Sequence, residues 1–82
     1  MNTARILVVD DEIQNVNLIV KVLKKFYPET EIEVAHNGYD AICKIVRFRP
    51  HLITLDINLP EVDGLTVCRN VKSNPETQNI KI

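Results

Sequence analysis

The chain has 82 residues with ten basic and eleven acidic side chains, which leaves a net charge of −1. This length allows one small domain, which buries only about 60–65% of the surface that its unfolded form exposes. The balanced charge gives no electrostatic reason to expect direct contact with nucleic acid or an anionic membrane. No apolar run approaches the ~20 residues of a membrane span, and the first residues do not resemble a signal peptide. We therefore expect a cytoplasmic protein.

The first two predicted elements are a buried strand and an amphipathic helix. Arg5 to Val9 is a continuous apolar run with β-branched residues, which is typical of a strand covered on both faces. The next segment repeats apolar residues at helical spacing, and Pro28 prevents its continuation. The apolar stripe consists of Val16, Ile19, Val20 and Leu23, and the solvated side and C-terminal end carry Lys21, Lys24 and Lys25.

The second strand and helix follow with a different pattern. Residues 31–36, "EIEVAH", alternate acidic and apolar side chains, which predicts a half-exposed strand at a sheet edge. Asn37 and Gly38 end that strand, and a second helix stops before Pro50. Its predicted apolar stripe consists of Ala41, Ile42, Ile45 and Val46.

The remainder of the chain predicts a third strand, a third helix and the start of a fourth strand. Leu52 to Asp56 forms the buried strand, the loop "INLPEVDG" is punctuated by Pro60 and Gly64, and the helix runs from about Leu65 to Ser73. Residues 80–82 resemble the first residues of another strand. Strand–helix alternation predicts an α/β protein, a doubly wound parallel sheet with helices on both faces. With the polar second strand at the edge, the order is 2-1-3, and a site is expected beside the carboxyl ends of strands 1 and 3.

The remaining reactive side chains give weaker signals. Cys43 and Cys68 are expected to be small core hydrophobes, with a disulfide or metal pair as the alternative. His36 and His51 have no partner at the spacing of a ligand set or triad, so we expect both at the surface. The surface of the first helix, which borders the expected site, is a more plausible docking patch than the basic end of the second helix, which carries Lys44, Arg47 and Arg49.

Three carboxylates are predicted to converge at the expected site. Asp10 and Asp11 end the first strand and Asp56 ends the third, so neighbouring parallel strands bring them to one crevice. A hard divalent ion such as Mg²⁺ relieves their mutual repulsion and leaves coordination positions for a phosphate. A carboxylate beside such an ion can attack phosphorus to form an aspartyl-phosphate. Asp56 is the better nucleophile, because it stands alone while the other two flank it as metal holders.

Each acidic residue also has a simpler interpretation. An Asp that ends a strand is often a turn former or a helix N-cap, and Asp11 or Glu12 could cap the first helix. Glu12 is also typical of an acid in the first turn of a helix. Asp63 and Gly64 suit loop geometry and capping of the third helix. The loop after Asp56, with its spacing D-x-x-L-P-x-x-D-G, nevertheless favours function for the combination.

The segments "ILVVDDE" and "LDINLPEVDG" resemble the receiver domain of two-component response regulators, and the resemblance covers the whole chain. It implies a flavodoxin-like fold with strand order 2-1-3-4-5. It further implies that Asp56 takes a phosphoryl group from a histidine kinase, a phosphotransfer protein or a small phosphodonor. Asp11 and Asp56 would bind Mg²⁺ with the backbone carbonyl of Asn58, and Asp10 would act largely through water. The side chain of Asn58 would influence the lifetime of the phosphate, and Leu59 stands where the family often has Met.

The sequence departs from the family where it stops, within strand 4. Receivers carry a Ser or Thr at the end of strand 4 and a Lys at the end of strand 5. We therefore expect residues 1–82 to be an incomplete receiver domain, with strands 4 and 5 largely absent. Strand 3 then becomes an apolar sheet edge that can recruit another strand. Three explanations stay open: the chain is a fragment of a longer receiver, it self-associates by pairing strand 3 or exchanging residues 80–82, or another polypeptide supplies the missing half. We favour the fragment, with a homo-oligomer through this edge as the expected result.

Two other functions stay open. One is a receiver-like interaction module that does not cycle phosphate. The other is a phosphohydrolase with an aspartate nucleophile. This alternative is weaker, because those enzymes carry an acid two residues after the nucleophile, where this chain has Asn58.

Overall fold

The computed structural model describes residues 3–59 and 62–82. Strands and helices alternate as predicted, in the order β1 Arg5–Val9, α1 Ile13–Phe26, β2 Glu31–Ala35, α2 Gly38–Phe48, β3 Leu52–Leu55 and α3 Gly64–Ser73. The third strand thus ends one residue before Asp56, and Pro60 lies outside the described residues. Within residues 3–59 and 62–82, no helix is both long and apolar enough to cross a membrane.

The three strands form a parallel sheet in the predicted order β2-β1-β3. Val9, the last residue of β1, lies opposite Ala35 of β2 and Leu55 of β3, so all three strands end at the same level. The predicted start of a fourth strand is present as a single parallel bridge between Leu52 and Lys81. The Ile53 N–H donates to the Lys81 carbonyl at 2.8 Å, which places this segment on the outer side of β3.

The core has two apolar clusters, one on each face of the sheet. Leu7 and Val9 point towards α2 and α3, while Ile6 and Val8 point towards α1. Both faces of β1 are therefore covered, which explains why its sequence is apolar without alternation. The acidic alternation of β2 is also confirmed, because the two glutamates of that strand are exposed.

Two predictions about α2 were wrong, for one geometric reason. Val46 is 62% exposed rather than part of the apolar stripe, and Cys43 is exposed rather than in the core. The buried face of this helix centres on Ala41 and Ile45. At 100° per residue, Val46 is rotated by about 140° from Ala41 and Cys43 by about 200°, so both point away from the sheet. Cys68 is half-buried, and both cysteines are free thiols.

The third strand is less buried than its sequence predicts. Ile53 faces the core and is fully buried, but Leu52 is 36% exposed. The single helix on the Leu52 side, α1, packs against Ile6 and Val8 of β1 and against β2. The sequence prediction of a strand covered on both faces therefore holds for β1 and is wrong for β3.

Candidate functional site

Three carboxylates meet at the carboxyl edge of the sheet. Asp10 follows β1 and Asp56 follows β3, and the Asp56 N–H continues the ladder by donating to the Val9 carbonyl at 3.1 Å. Asp10, Asp11 and Asp56 each offer an oxygen, and these oxygens lie within 4.8 Å of one another. The fold thus brings together the three aspartates on which the sequence prediction depended.

The local backbone orients two of these side chains and leaves the third free. One oxygen of Asp10 accepts the N–H of Glu12 at 2.9 Å, and one oxygen of Asp56 accepts the N–H of Asn58 at 3.0 Å. These are i to i+2 turns, in which an Asp side chain fixes the start of its own loop. The side chain of Asp11 makes no hydrogen bond within the described part of the chain. The site therefore combines two oriented carboxylates with one that can still rotate.

The three carboxylates also differ in burial. Asp10 is only 8% exposed and is the buried polar residue of the described chain, Asp56 is half-buried, and Asp11 is exposed. Taking a carboxylate out of water is costly unless a hydrogen bond or an opposite charge accompanies it. The Glu12 N–H supplies one such partner to Asp10, and a cation would supply a second.

The donor set fits a hard divalent cation. All three side chains offer carboxylate oxygen, the ligand type that Mg²⁺ prefers, and Mg²⁺ commonly uses one or two carboxylates while keeping several waters. Two carboxylates 4.8 Å apart repel by about 0.9 kcal/mol even in bulk water. A divalent ion between them converts this repulsion into attraction, so the cluster is electrostatically suited to binding one.

A cavity of about 350 Å³ adjoins the cluster between β1, β3 and α1. Its polar lining includes Asp10, Asp56, Asn15 and Thr54. The Thr54 hydroxyl is buried there and has no hydrogen-bond partner among the described residues. Sequence reasoning missed both Asn15 and Thr54. Asn15 could have been found because it lies in the first turn of the helix that follows the acidic pair, but the orientation of Thr54 depends on the register of β3.

The structure contradicts the capping interpretation at the start of α1 and confirms it at the start of α3. Glu12 occupies the N-cap position of α1 without a side-chain cap hydrogen bond, and no acid lies in the first turn. The prediction that Asp11 or Glu12 caps this helix through its side chain is therefore wrong. Asp63 does cap α3, since its carboxylate accepts the Thr66 N–H at 2.8 Å. This backbone hydrogen bond holds the pKa of Asp63 below its ordinary value of 3.8.

Among the described residues, the other sequence candidates offer no side-chain ligand to the acidic cluster. Lys44 pairs with Asp40 at 3.3 Å, and its ammonium also donates to the Val34 carbonyl. His36 and His51 are exposed, as predicted, and a ring nitrogen of His51 accepts the backbone N–H of Arg5. Leu59 is buried in the core beside the exposed Asn58, so it anchors the segment that carries the Asn58 carbonyl.

A parallel sheet in the order 2-1-3, with an acidic cluster at the carboxyl ends of the neighbouring strands β1 and β3, is the arrangement that the receiver resemblance implies. The family model described as "Response regulator receiver domain" matches residues 6–82. The chain therefore belongs to the response regulator receiver domain family. This membership is consistent with two-component phosphorelay. Receiver domains generally bind Mg²⁺ through acidic residues and interact with histidine kinases or phosphotransfer proteins.

Curated relatives share the sequence over most of this chain. The response regulator PleD of Caulobacter vibrioides is 41% identical over 81 residues, which are 98% of this chain and 17% of that protein. The transcriptional regulatory protein TrcR of Mycobacterium tuberculosis is 43% identical over 70 residues, which are 85% of this chain and 26% of that protein. The chain thus spans about a quarter or less of the length of these two relatives.

Solved structures share the fold. The signal receiver domain of a DNA-binding response regulator from Colwellia psychrerythraea superimposes with a TM-score of 0.89 at 28% identity, and covers 94% of this chain and 63% of that chain. The phosphorylated cyanobacterial phytochrome response regulator RcpA gives a TM-score of 0.87 at 28% identity, with 96% of this chain and 61% of that chain covered.

Proposed function

We propose that the chain is the phosphoacceptor part of a two-component response regulator, with Asp56 as the residue that takes the phosphoryl group. The donor is a histidine kinase, a phosphotransfer protein or a small phosphodonor, and the transfer depends on Mg²⁺. One observation carries the proposal: Asp10, Asp11 and Asp56 hold their oxygens within 4.8 Å of one another at the carboxyl edge of the sheet.

The geometry of Asp56 suits it to attack phosphorus. One of its oxygens accepts the Asn58 N–H, so the second oxygen is the nucleophile. It forms a new O–P bond while the bond from phosphorus to the donor breaks, and the donor keeps the electron pair of that bond. From a phosphohistidine the leaving atom is an imidazole nitrogen, and from acetyl phosphate it is a carboxylate oxygen. Such a transfer requires positioning and charge stabilisation more than acid–base chemistry.

The other residues of the site hold the cation and keep the nucleophile oriented. When bound, Mg²⁺ supplies the positive charge that draws in the phosphoryl oxygens and offsets the repulsion of Asp56. Asp11 is exposed and free to rotate, so we assign it a direct contact with the ion. Asp10 is buried with one oxygen hydrogen-bonded to the Glu12 N–H, and the receiver resemblance implies that it would act on the ion largely through water. The carbonyl of Asn58 and the carboxylate of Asp56 would complete the protein ligands.

We propose that the described elements are the part of a receiver unit that carries this site. They correspond to 63% of the length of the Colwellia structure, and receivers place further phosphoryl contacts on later strands. Among the described residues, two lysines have other partners: Lys44 pairs with Asp40, and Lys72 donates to the carbonyls of Gln78 and Ile80. We therefore assign neither of these two lysines a contact with the phosphoryl group.

In the first experiment, the chain is incubated with acetyl phosphate and Mg²⁺, and its intact mass is measured. In the second, the chain is incubated with beryllofluoride and Mg²⁺, and ¹⁹F NMR detects the adduct. We expect a gain of one phosphoryl group in the wild-type chain and none in Asp56→Asn. Asp63→Asn is the matched control, because Asp63 lies in the same loop but outside the cluster and should leave the adduct intact. A wild-type chain without an adduct, or an Asp56→Asn chain with one, would refute the proposal.

A second candidate role, self-association through β3, rests on the outer edge of that strand. Lys81 pairs with this edge only around Leu52, while a groove of about 450 Å³ runs along it. The groove is lined by apolar side chains that include Leu65, which is 53% exposed. Unpaired apolar edges recruit strands from other copies. We propose that a second copy of the chain docks here at high concentration.

Sedimentation velocity across a concentration series tests this role. Leu65→Lys places a charge in the groove, and Leu18→Lys places one on an exposed leucine of α1 outside it. We expect the wild-type chain and Leu18→Lys to associate with rising concentration, and Leu65→Lys to stay monomeric. A monomeric wild-type chain, or equal association of all three, would refute docking at β3 without bearing on phosphorylation.

A further inference from the structure

The chain contains only two glycines, Gly38 and Gly64, and both are the first residue of a helix. Neither has a positive φ, so the backbone conformation does not require glycine at either position. Glycine is also a poor helix former compared with alanine. Both glycines are buried, however, and the absence of a side chain allows another part of the backbone to approach closely.

Gly64 lies against the backbone that carries Asp56. A Cβ atom at position 64 would lie 2.5 Å from the carbonyl oxygen of Asp56 and 2.6 Å from the Cα of Ile57. The Gly64 N–H also donates to the Ile57 carbonyl at 2.9 Å. Because the opposing atoms belong to the backbone, they cannot rotate away as a flexible side chain could. Any side chain at position 64 would therefore displace the end of β3.

Gly38 lies against the other end of the same loop. A Cβ atom there would lie 2.3 Å from the carbonyl oxygen of Val62 and 2.7 Å from its Cβ. The start of α2 cannot easily withdraw, because Gly38 and Ala41 in its first turn are buried. The glycine at the start of α2 thus touches the loop shortly before α3 begins.

We infer that Gly38 and Gly64 form a glycine clamp that holds the backbone at Val62 and at Asp56–Ile57, and thereby positions the Asn58 carbonyl for the cation. Both are positioning residues, since a glycine has no side chain to offer to the ion or to the phosphoryl group. The clamp acts on the Asp56–Asn58 turn, whose hydrogen bond measures 3.0 Å. This inference rests on the proposed function for its effect on metal binding, but its effect on the turn can be measured without metal.

The test compares Gly38→Ala and Gly64→Ala with Val71→Ala. Val71 is 1% exposed and lies in the last turn of α3, so its truncation weakens the core away from the loop and serves as the control for general destabilisation. In the metal-free chain, the NMR shift and hydrogen exchange of the Asn58 amide report its bond to Asp56. Electron paramagnetic resonance of free Mn²⁺ then gives the affinity of the cation site.

We expect the Asn58 amide to shift and to exchange faster in both glycine variants, while Val71→Ala retains the wild-type signal. Mn²⁺ binding should weaken by about 10–100-fold in the glycine variants, the range seen when residues that orient metal ligands are lost. Glycine variants with a wild-type Asn58 amide, or a Val71→Ala variant with the same changes, would overturn the clamp. A wild-type chain that fails to bind Mn²⁺ would refute the proposed function, and the metal-free amide would still decide the clamp.

If the alanine variants do not fold, hydrogen exchange in the wild-type chain decides the inference. A clamped loop opens as one unit, so the amides of Gly64 and Asn58 should share one opening free energy. Unrelated opening free energies for these two amides would overturn the clamp.

Discussion

Replacing Asp11 by Asn removes one charge from the acidic cluster while disturbing little else. Asp11 is exposed and its side chain makes no hydrogen bond among the described residues, so the substitution mainly deletes its repulsion with Asp10 and Asp56. At 4.8 Å each pair repels by about 0.9 kcal/mol in water, and screening at physiological salt reduces the two together to about 1 kcal/mol.

The metal-free and metal-bound chains should respond with opposite signs. Without a divalent cation, Asp11→Asn should raise the free energy of unfolding by about 1 kcal/mol, or roughly 4–8 °C in Tm for a domain of this size. With Mg²⁺ at a hundred times its Kd, the wild-type chain gains about 2.7 kcal/mol, and Asp11→Asn should lose most of that gain. The same carboxylate thus destabilises the empty site and stabilises the occupied one.

Thermal unfolding followed by circular dichroism measures both effects, with and without Mg²⁺ and at two salt concentrations. Glu33→Gln is the matched control, because it removes one exposed acid of β2 that is not part of the cluster. The gain of Asp11→Asn should shrink in 1 M salt, where the screening length falls to about 3 Å. An Asp11→Asn chain that is no more stable than Glu33→Gln without metal, or that Mg²⁺ stabilises as much as it stabilises the wild-type chain, would refute this expectation.

Three further predictions concern stability. Because the Thr66 N–H lowers the pKa of Asp63 below 3.8, the ionised cap stabilises the fold fully above pH 3.8, and this stabilisation is lost as pH falls through the folded-state pKa. Asp63→Asn cannot ionise, so its stability should vary less with pH in acid unfolding measured from about pH 5 downwards. Arg49 is the C-cap residue of α2 with φ 52°, so Arg49→Gly should raise Tm by relieving about 1 kcal/mol of backbone strain. Arg47→Gly, within the helix, should lower Tm, and a change of Tm in the same direction for both variants would contradict this. Thr54→Val removes a buried hydroxyl without a partner among the described residues and should stabilise the fold by about 1 kcal/mol in urea unfolding, and a loss would show that the hydroxyl is satisfied.

The sequence by itself determined the order of elements and the position of the acidic cluster. The apolar run of β1 and the alternation of β2 are local patterns, and each records how many faces of its strand are covered. A parallel order of 2-1-3 then brings the ends of strands 1 and 3 together wherever the loops run. Asp10 and Asp56 could therefore be placed at one site from their positions at strand ends alone.

Only the tertiary structure decided which side chain meets which neighbour. Helical spacing predicted one apolar stripe on α2, but the face that α2 turns towards the sheet leaves Val46 exposed. No sequence pattern indicated that Gly38 touches Val62 and that Gly64 touches Asp56, because these contacts join segments that approach only after the sheet and helices pack. The spacing of apolar residues indicates whether one face of a strand or helix is covered. Which atoms cover that face depends on how the strands and helices pack against one another.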